Sequence, residues 1–181
     1  MIKIYDCGAW RTSGYIMLAL WAAAAARGAD VLTQHNDSAR TGANLQETIL
    51  TPATVNETNF GKLFSRHVNG QIYAQPLVVS GVEIPGKGVR NVVYVATMEN
   101  NVYAFDADDA QEERYIWKAN LGMPVTYLDI PEPLVAVFTG FNIKPFIGIT
   151  STPVIDPRTR RMWVVAKTLE KPDIRHYHLI T

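Results

Sequence analysis

Residues 91–121 (NVVYVATMENNVYAFDADDAQEERYIWKANL) constrain the fold of this chain more than any other stretch. Two short runs rich in β-branched and aromatic residues, 92–97 and 102–105, are separated by Met98-Glu99-Asn100-Asn101. An acidic turn from Asp106 to Asp109 follows, and a third short run, 115–118, carries Trp117. An amphipathic helix needs an uninterrupted apolar recurrence every third or fourth residue, which these polar breaks do not allow. Short runs punctuated by Asn and Asp predict an antiparallel meander instead.

The flanking sequence extends that reading. Residues 60–68 (FGKLFSRHV) predict a strand that ends at Asn69-Gly70, the strongest short hairpin signal a sequence offers. Residues 72–79 (IYAQPLVV) predict its partner, with Pro76 at a strand start, an edge or a bulge because it cannot donate to a ladder. Residues 80–90 hold Gly81, Gly86, Gly88 and Pro85, and predict a loop. Residues 122–148 contain Pro124, Pro131, Pro133 and Pro145 around an apolar patch at 134–138, the composition of a long inserted connection with one short element. Connections of that length inside a compact domain are usually functional or disordered. Strand pattern then resumes over 149–155, with a turn at 156–160, a strand at 162–166, a charged loop at 167–173 and an alternating run at 175–181.

The N-terminal part has a different character. Lys3 and Arg11 precede the apolar run 15–26 (YIMLALWAAAAA), which ends in Arg27-Gly28-Ala29. Crossing a bilayer takes roughly 20 apolar residues, so this run is too short to span one. A short apolar core behind a basic lead and ahead of small residues predicts a secretory signal peptide over 1–28, hence export to the periplasm, cell surface or medium. A retained anchor helix is the alternative. Removal of 1–28 takes away Cys7, the single cysteine, and with it any disulfide or thiolate metal site. Residues 29–59 are polar and without period, an extended lead-in in which Thr51-Pro52 opens a helical turn. Lys+Arg and Asp+Glu both number 17, and the longest basic cluster is Arg158-Thr159-Arg160-Arg161. That balance disfavours a nucleic-acid partner, which calls for a basic stripe.

Two segments overlay on each other. Gln75-Pro76-Leu77-Val78 matches Thr152-Pro153-Val154-Ile155, and 93–97 (VYVAT) matches 162–166 (MWVVA). More loosely, 102–105 (VYAF) matches 177–180 (YHLI). A meander of this size cannot cover its own apolar face, and stacked repeats cover each other. The blocks AQPLVV, VVYVATMENNVYAFDAD with Trp117, and GITSTPVIDP…MWVVAKT resemble pyrroloquinoline-quinone-type β-propeller repeats. The lead-in NDSARTGAN…LTPATVN…FGKLF resembles the opening of such propellers, which belong to the quinoprotein alcohol dehydrogenase-like superfamily.

The resemblance implies an all-β fold of four-stranded antiparallel meanders arranged as blades, about seven or eight to a ring. On that basis the chain holds about one and a half blades of an incomplete propeller over 60–181. Blade one covers 72–118, the insertion 122–148 and a partial blade two 149–181. The chain is then expected to be the N-terminal portion of a larger protein. In the family's dehydrogenases a quinone and a calcium ion sit on the propeller axis, with a carboxylate just before the proline of the first blade and often adjacent cysteines. Here Tyr73-Ala74-Gln75 precede Pro76, with no acid. No catalytic, cofactor-binding or metal residue can be assigned from that pattern.

His176 and His178 alternate on one strand face and would need a third ligand to hold a metal. Asp106 to Asp109 lacks the glycine and distal glutamate of a calcium loop, so a turn explains it better. Trp117 and Trp163 suit packing between sheets, and Ser151-Thr152 lacks the histidine and acid of a nucleophile. The expected function is therefore binding or scaffolding by an exported propeller segment, with a protein or polysaccharide partner. The alternative is part of a quinone-dependent alcohol or sugar dehydrogenase, using pyrroloquinoline quinone and calcium.

Overall fold

The computed structural model describes residues 29–45, 47–111, 114–126, 143–171 and 174–180. The expected signal peptide, Cys7 and the apolar patch 134–138 lie outside the described residues. Within them there is no helix, and every strand pairing is antiparallel. The first sheet is a four-stranded meander of β1 (Leu77–Ile84), β2 (Gly88–Ala96), β3 (Asn101–Asp106) and β4 (Trp117–Asn120), in that spatial order. A two-stranded pair, β5 (Val125–Thr126) with β6 (Phe146–Ile147), closes the base of the inserted connection. A three-stranded sheet of β7 (Val154–Asp156), β8 (Arg161–Lys171) and β9 (Ile174–Ile180) follows.

Three expectations need correction. Residues 60–68 form no strand, and Asn69-Gly70 turns no hairpin. That segment runs across one face of the first sheet, where Val68 packs on Val95, Tyr103 and Phe105. It is pinned there by the Asn69 amide donating to Tyr103 Oη (3.0 Å) and the Met98 amide donating to the Gln71 carbonyl (3.0 Å). Covering two aromatic rings outweighs the local turn preference. Second, the expected loop at 80–90 is the hairpin joining β1 to β2. Its glycines serve the hairpin, since Gly81 (φ 68°) sits in a bulge between Val79 and Val82, and Gly86 (φ 77°) lies in the turn. Third, residues expected to loop from Lys167 onward continue β8 as far as Lys171.

The internal overlay holds for the first two strands of each unit. Leu77 lies opposite Tyr94 and Val78 opposite Val93, while Val154 lies opposite Trp163 and Ile155 opposite Met162. For the third strand it fails by two residues. The overlay places Ile180 opposite Met162, whereas the structure pairs Ile180 with Val164. A shift of two leaves every side chain on its original face, so the apolar pattern does not register the difference.

The two units share one core. Ala74, Ala96 and Val102 pack with Ile149, Val164 and Ala166, all buried. Polar contacts then fix how the layers lie. At the β2–β3 turn Asn100 takes a left-handed conformation (φ 58°), which Asn tolerates better than most residues. Its Nδ2 donates to the carbonyls of Lys167 (2.8 Å) and Gly122 (3.2 Å). Gly148 fits beneath that turn because a Cβ there would collide with the Met98 carbonyl oxygen and Asn100 Oδ1. The lead-in ties the edge strands β1 and β7: Val31 and Val78 exchange both backbone bonds (2.8 and 3.0 Å), and the Ile155 amide donates to the Leu32 carbonyl (2.9 Å).

Truncating Ile149, fully buried between the units, to Ala is expected to lower the unfolding free energy by about 2–5 kcal/mol in a urea titration of the full chain. Asn100→Asp replaces a donor facing two carbonyls by an acceptor. The same titration is expected to show a loss of at least about 2 kcal/mol, larger than for the exposed Asn44→Asp.

Candidate functional site

The residues singled out in the sequence are mostly occupied by the fold. Asp106 is buried; its Oδ1 accepts from the amides of Asp108 (3.0 Å) and Asp109 (3.2 Å), and Oδ2 pairs with Arg90 Nε (3.0 Å). Asp108 Oδ2 accepts from Asn91 Nδ2 (2.8 Å). The acidic run is therefore a side-chain-capped turn whose leading carboxylates hold protein donors. Trp117 lies opposite Ala104, with its ring 5.9 Å from Tyr94, and is 40% exposed. Burial pushes the Tyr94 phenol up from its ordinary value. Trp163 stands on β8, in the other sheet, opposite Val154. Backbone register places His176 opposite Thr168 and His178 opposite Ala166. Among the described residues no group of three or more His, Cys, Asp or Glu could hold a metal ion.

Gln75 and Thr152 are brought together. They occupy equivalent positions in the two repeats, and the Gln75 amide donates to Thr152 Oγ1 (2.9 Å). Gln75 Oε1 in turn accepts from the His35 amide (3.0 Å). Thr152 thus acts as an acceptor between repeats, and the site before Pro76 is filled by a neutral amide tied to the lead-in.

Two clefts lined by described residues are open to solvent. One, about 430 Å³, lies between the lead-in loop around Asn36 and Asp37 and the strand β7 at Val154 and Asp156. Its loop is strongly ordered by its own side chains. His35, Asn36 and Arg40 all have positive φ (59°, 74° and 57°), Asn36 Nδ2 donates to the Ala43 carbonyl (2.7 Å), and Asp37 accepts from the Thr41 hydroxyl and amide. Those Thr41 donors hold the Asp37 carboxyl below its usual range. Three non-glycine residues in the left-handed region mark a conformation that the surroundings must impose.

The second cleft, about 360 Å³, opens at the strand ends of the first sheet, between Asn69, Glu99, Asn101, Lys118, Asn120 and Phe146. Nothing local in the sequence marks these residues, because they come from four separate segments. Asn120 Nδ2 donates to Asn101 Oδ1 (3.0 Å) and to the Glu99 carbonyl (3.2 Å), which fixes the amide row. The Lys118 ammonium rests over the Tyr103 ring (5.1 Å). The half-buried Glu99 carboxylate has no hydrogen-bond or ion-pair partner among the described residues. One acid, one cation and three amides give a cleft of balanced charge that both donates and accepts.

Compared with protein-family models, with curated proteins and with solved structures, the chain has no match.

Asp106→Ala is expected to destabilise the chain by about 2–4 kcal/mol, since it removes two amide partners and strands Arg90. Asp106→Asn keeps an acceptor for both amides and is expected to cost less than half as much, read from paired denaturant titrations.

Proposed function

We propose that this chain is part of an exported β-propeller and that its role is binding or scaffolding, with no catalysis of its own. The observation that carries the propeller reading is the contact between equivalent positions of the two repeats. Gln75 of one unit bonds Thr152 of the next, over a core to which both contribute. Side-by-side repeats that hide each other's apolar faces are the construction principle of a propeller. In that reading residues 1–28 direct export and are removed.

The binding role rests on the strand-end cleft. Sugar hydroxyls both donate and accept, which matches the Asn101–Asn120 amide row and the unpartnered Glu99, and an apolar sugar face fits Phe146. A neutral polysaccharide is therefore favoured over a protein as partner, and balanced charge gives an anionic ligand no advantage. Its shallow shape suits a weak contact with one or two sugar units of a chain, multiplied by neighbouring sites.

Binding of the purified protein to an array of soluble polysaccharides tests this. Glu99→Gln and Asn120→Ala are each expected to weaken retention about tenfold, the loss of one to two hydrogen bonds. Retention unchanged by both variants would remove the cleft from the reading. Dye reduction with alcohols or sugars after adding pyrroloquinoline quinone and calcium would replace it with a dehydrogenase.

A further inference from the structure

We infer that Asn69-Gly70 is a self-modifying site, at which Asn69 deamidates through cyclisation onto the Gly70 amide while the chain stays folded. Asn69 is the only asparagine in the sequence followed by glycine; every other one precedes a residue whose side chain would crowd the attacking nitrogen. Sequence alone would not settle the matter, because in a hairpin the ladder holds the backbone away from the cyclic geometry. This Asn-Gly pair is not in a hairpin. Asn69 is exposed, its side-chain amide opens onto the cleft, and neither that amide nor the Gly70 N–H is hydrogen-bonded among the described residues. The segment is held by the Asn69 N–H on Tyr103 Oη and by the Gln71 carbonyl, with Gly70 packed against Glu99, while the Gly70 N–H between those two bonds carries no hydrogen bond among the described residues.

Gly70 N loses its proton to solvent base and its electron pair attacks Asn69 Cγ, forming the new C–N bond. The Cγ–Nδ2 bond breaks, and the side-chain nitrogen leaves as ammonia after gaining a proton. Water then opens the resulting succinimide at either carbonyl, giving aspartate or isoaspartate. No oxidant or reductant takes part. The product adds a carboxylate beside Glu99, and the cleft changes from balanced to net negative, with Lys118 its one cation among the lining residues. The segment that shields Tyr103 and Phe105 would carry the altered backbone in the isoaspartate form.

The full chain is incubated folded, and in parallel unfolded in guanidinium, at mildly alkaline pH in water enriched in heavy oxygen. Peptide mapping then follows heavy-oxygen uptake and isoaspartate at residue 69. Uptake at Asn69 in the folded chain within about tenfold of the unfolded rate, rising with pH, is the expected result. Asn69→Gln, which cannot close the five-membered ring, should abolish the signal. An intact Asn69 in the folded chain, while the unfolded chain converts, would overturn the inference.

Discussion

Strand β3 is buried along its whole length, and that burial governs the rest of the structure. Val102 and Ala104 face one way, Tyr103 and Phe105 the other, so neither face of the first sheet is available to solvent at its centre. A sheet apolar on both sides must sit between two layers. The second unit supplies one layer through Ile149, Val164 and Ala166. The segment before β1 supplies the other through Val68. Chain on both sides of the meander is thereby committed to covering it, and the order of events along the sequence follows from that commitment.

Apolar burial holds layers together without specifying their alignment, because it depends on area and not on direction. Alignment comes from a few polar contacts at the edges. Asn100 reaches two carbonyls that belong to different segments, Gly122 at the start of the inserted connection and Lys167 on β8. Gln75 reaches Thr152, and Val31 and Leu32 reach β1 and β7 in succession. Each such bond contributes on the order of 1 kcal/mol net, which is small beside the buried area. Leaving several of these half-buried or buried groups unmatched at once would cost more, so a slipped arrangement of the layers is penalised at several points together.

This division explains what could be read from the sequence. The meander was legible because alternation, β-branched runs and Asx turns all act within a dozen residues, and Asp106 capping its own turn is such a local device. The first two strands of the repeat were legible because Pro76 and Pro153 fix where pairing begins. The third strand pairs two residues away from the overlay, since a run such as 177–180 offers the same faces after a shift of two. The segment 60–68 departs from its local signals for the opposite reason: its alternation and its Asn-Gly end are true strand signals, overridden by two distant aromatic rings. Nothing local marks the strand-end cleft, whose walls meet only once the sheet has folded.

The absent hairpin and the cleft share one origin. Had 60–68 paired with the following run through Asn69-Gly70, Tyr103 and Phe105 would have lost Val68, and Asn69 would sit in a ladder away from Glu99. Because the chain crosses the sheet instead, Gly70 presses on Glu99 with φ at 88°, where a Cβ would lie 3.0 Å from Glu99 Cγ. That close passage sets the wall of the cleft and directs Asn69 toward its mouth. At the centre of the sheet both faces are spent on packing, and the free edge of β1 meets the lead-in at Val31. Polar side chains without a partner among the described residues, such as the Glu99 carboxylate, therefore collect where strands of the first sheet end.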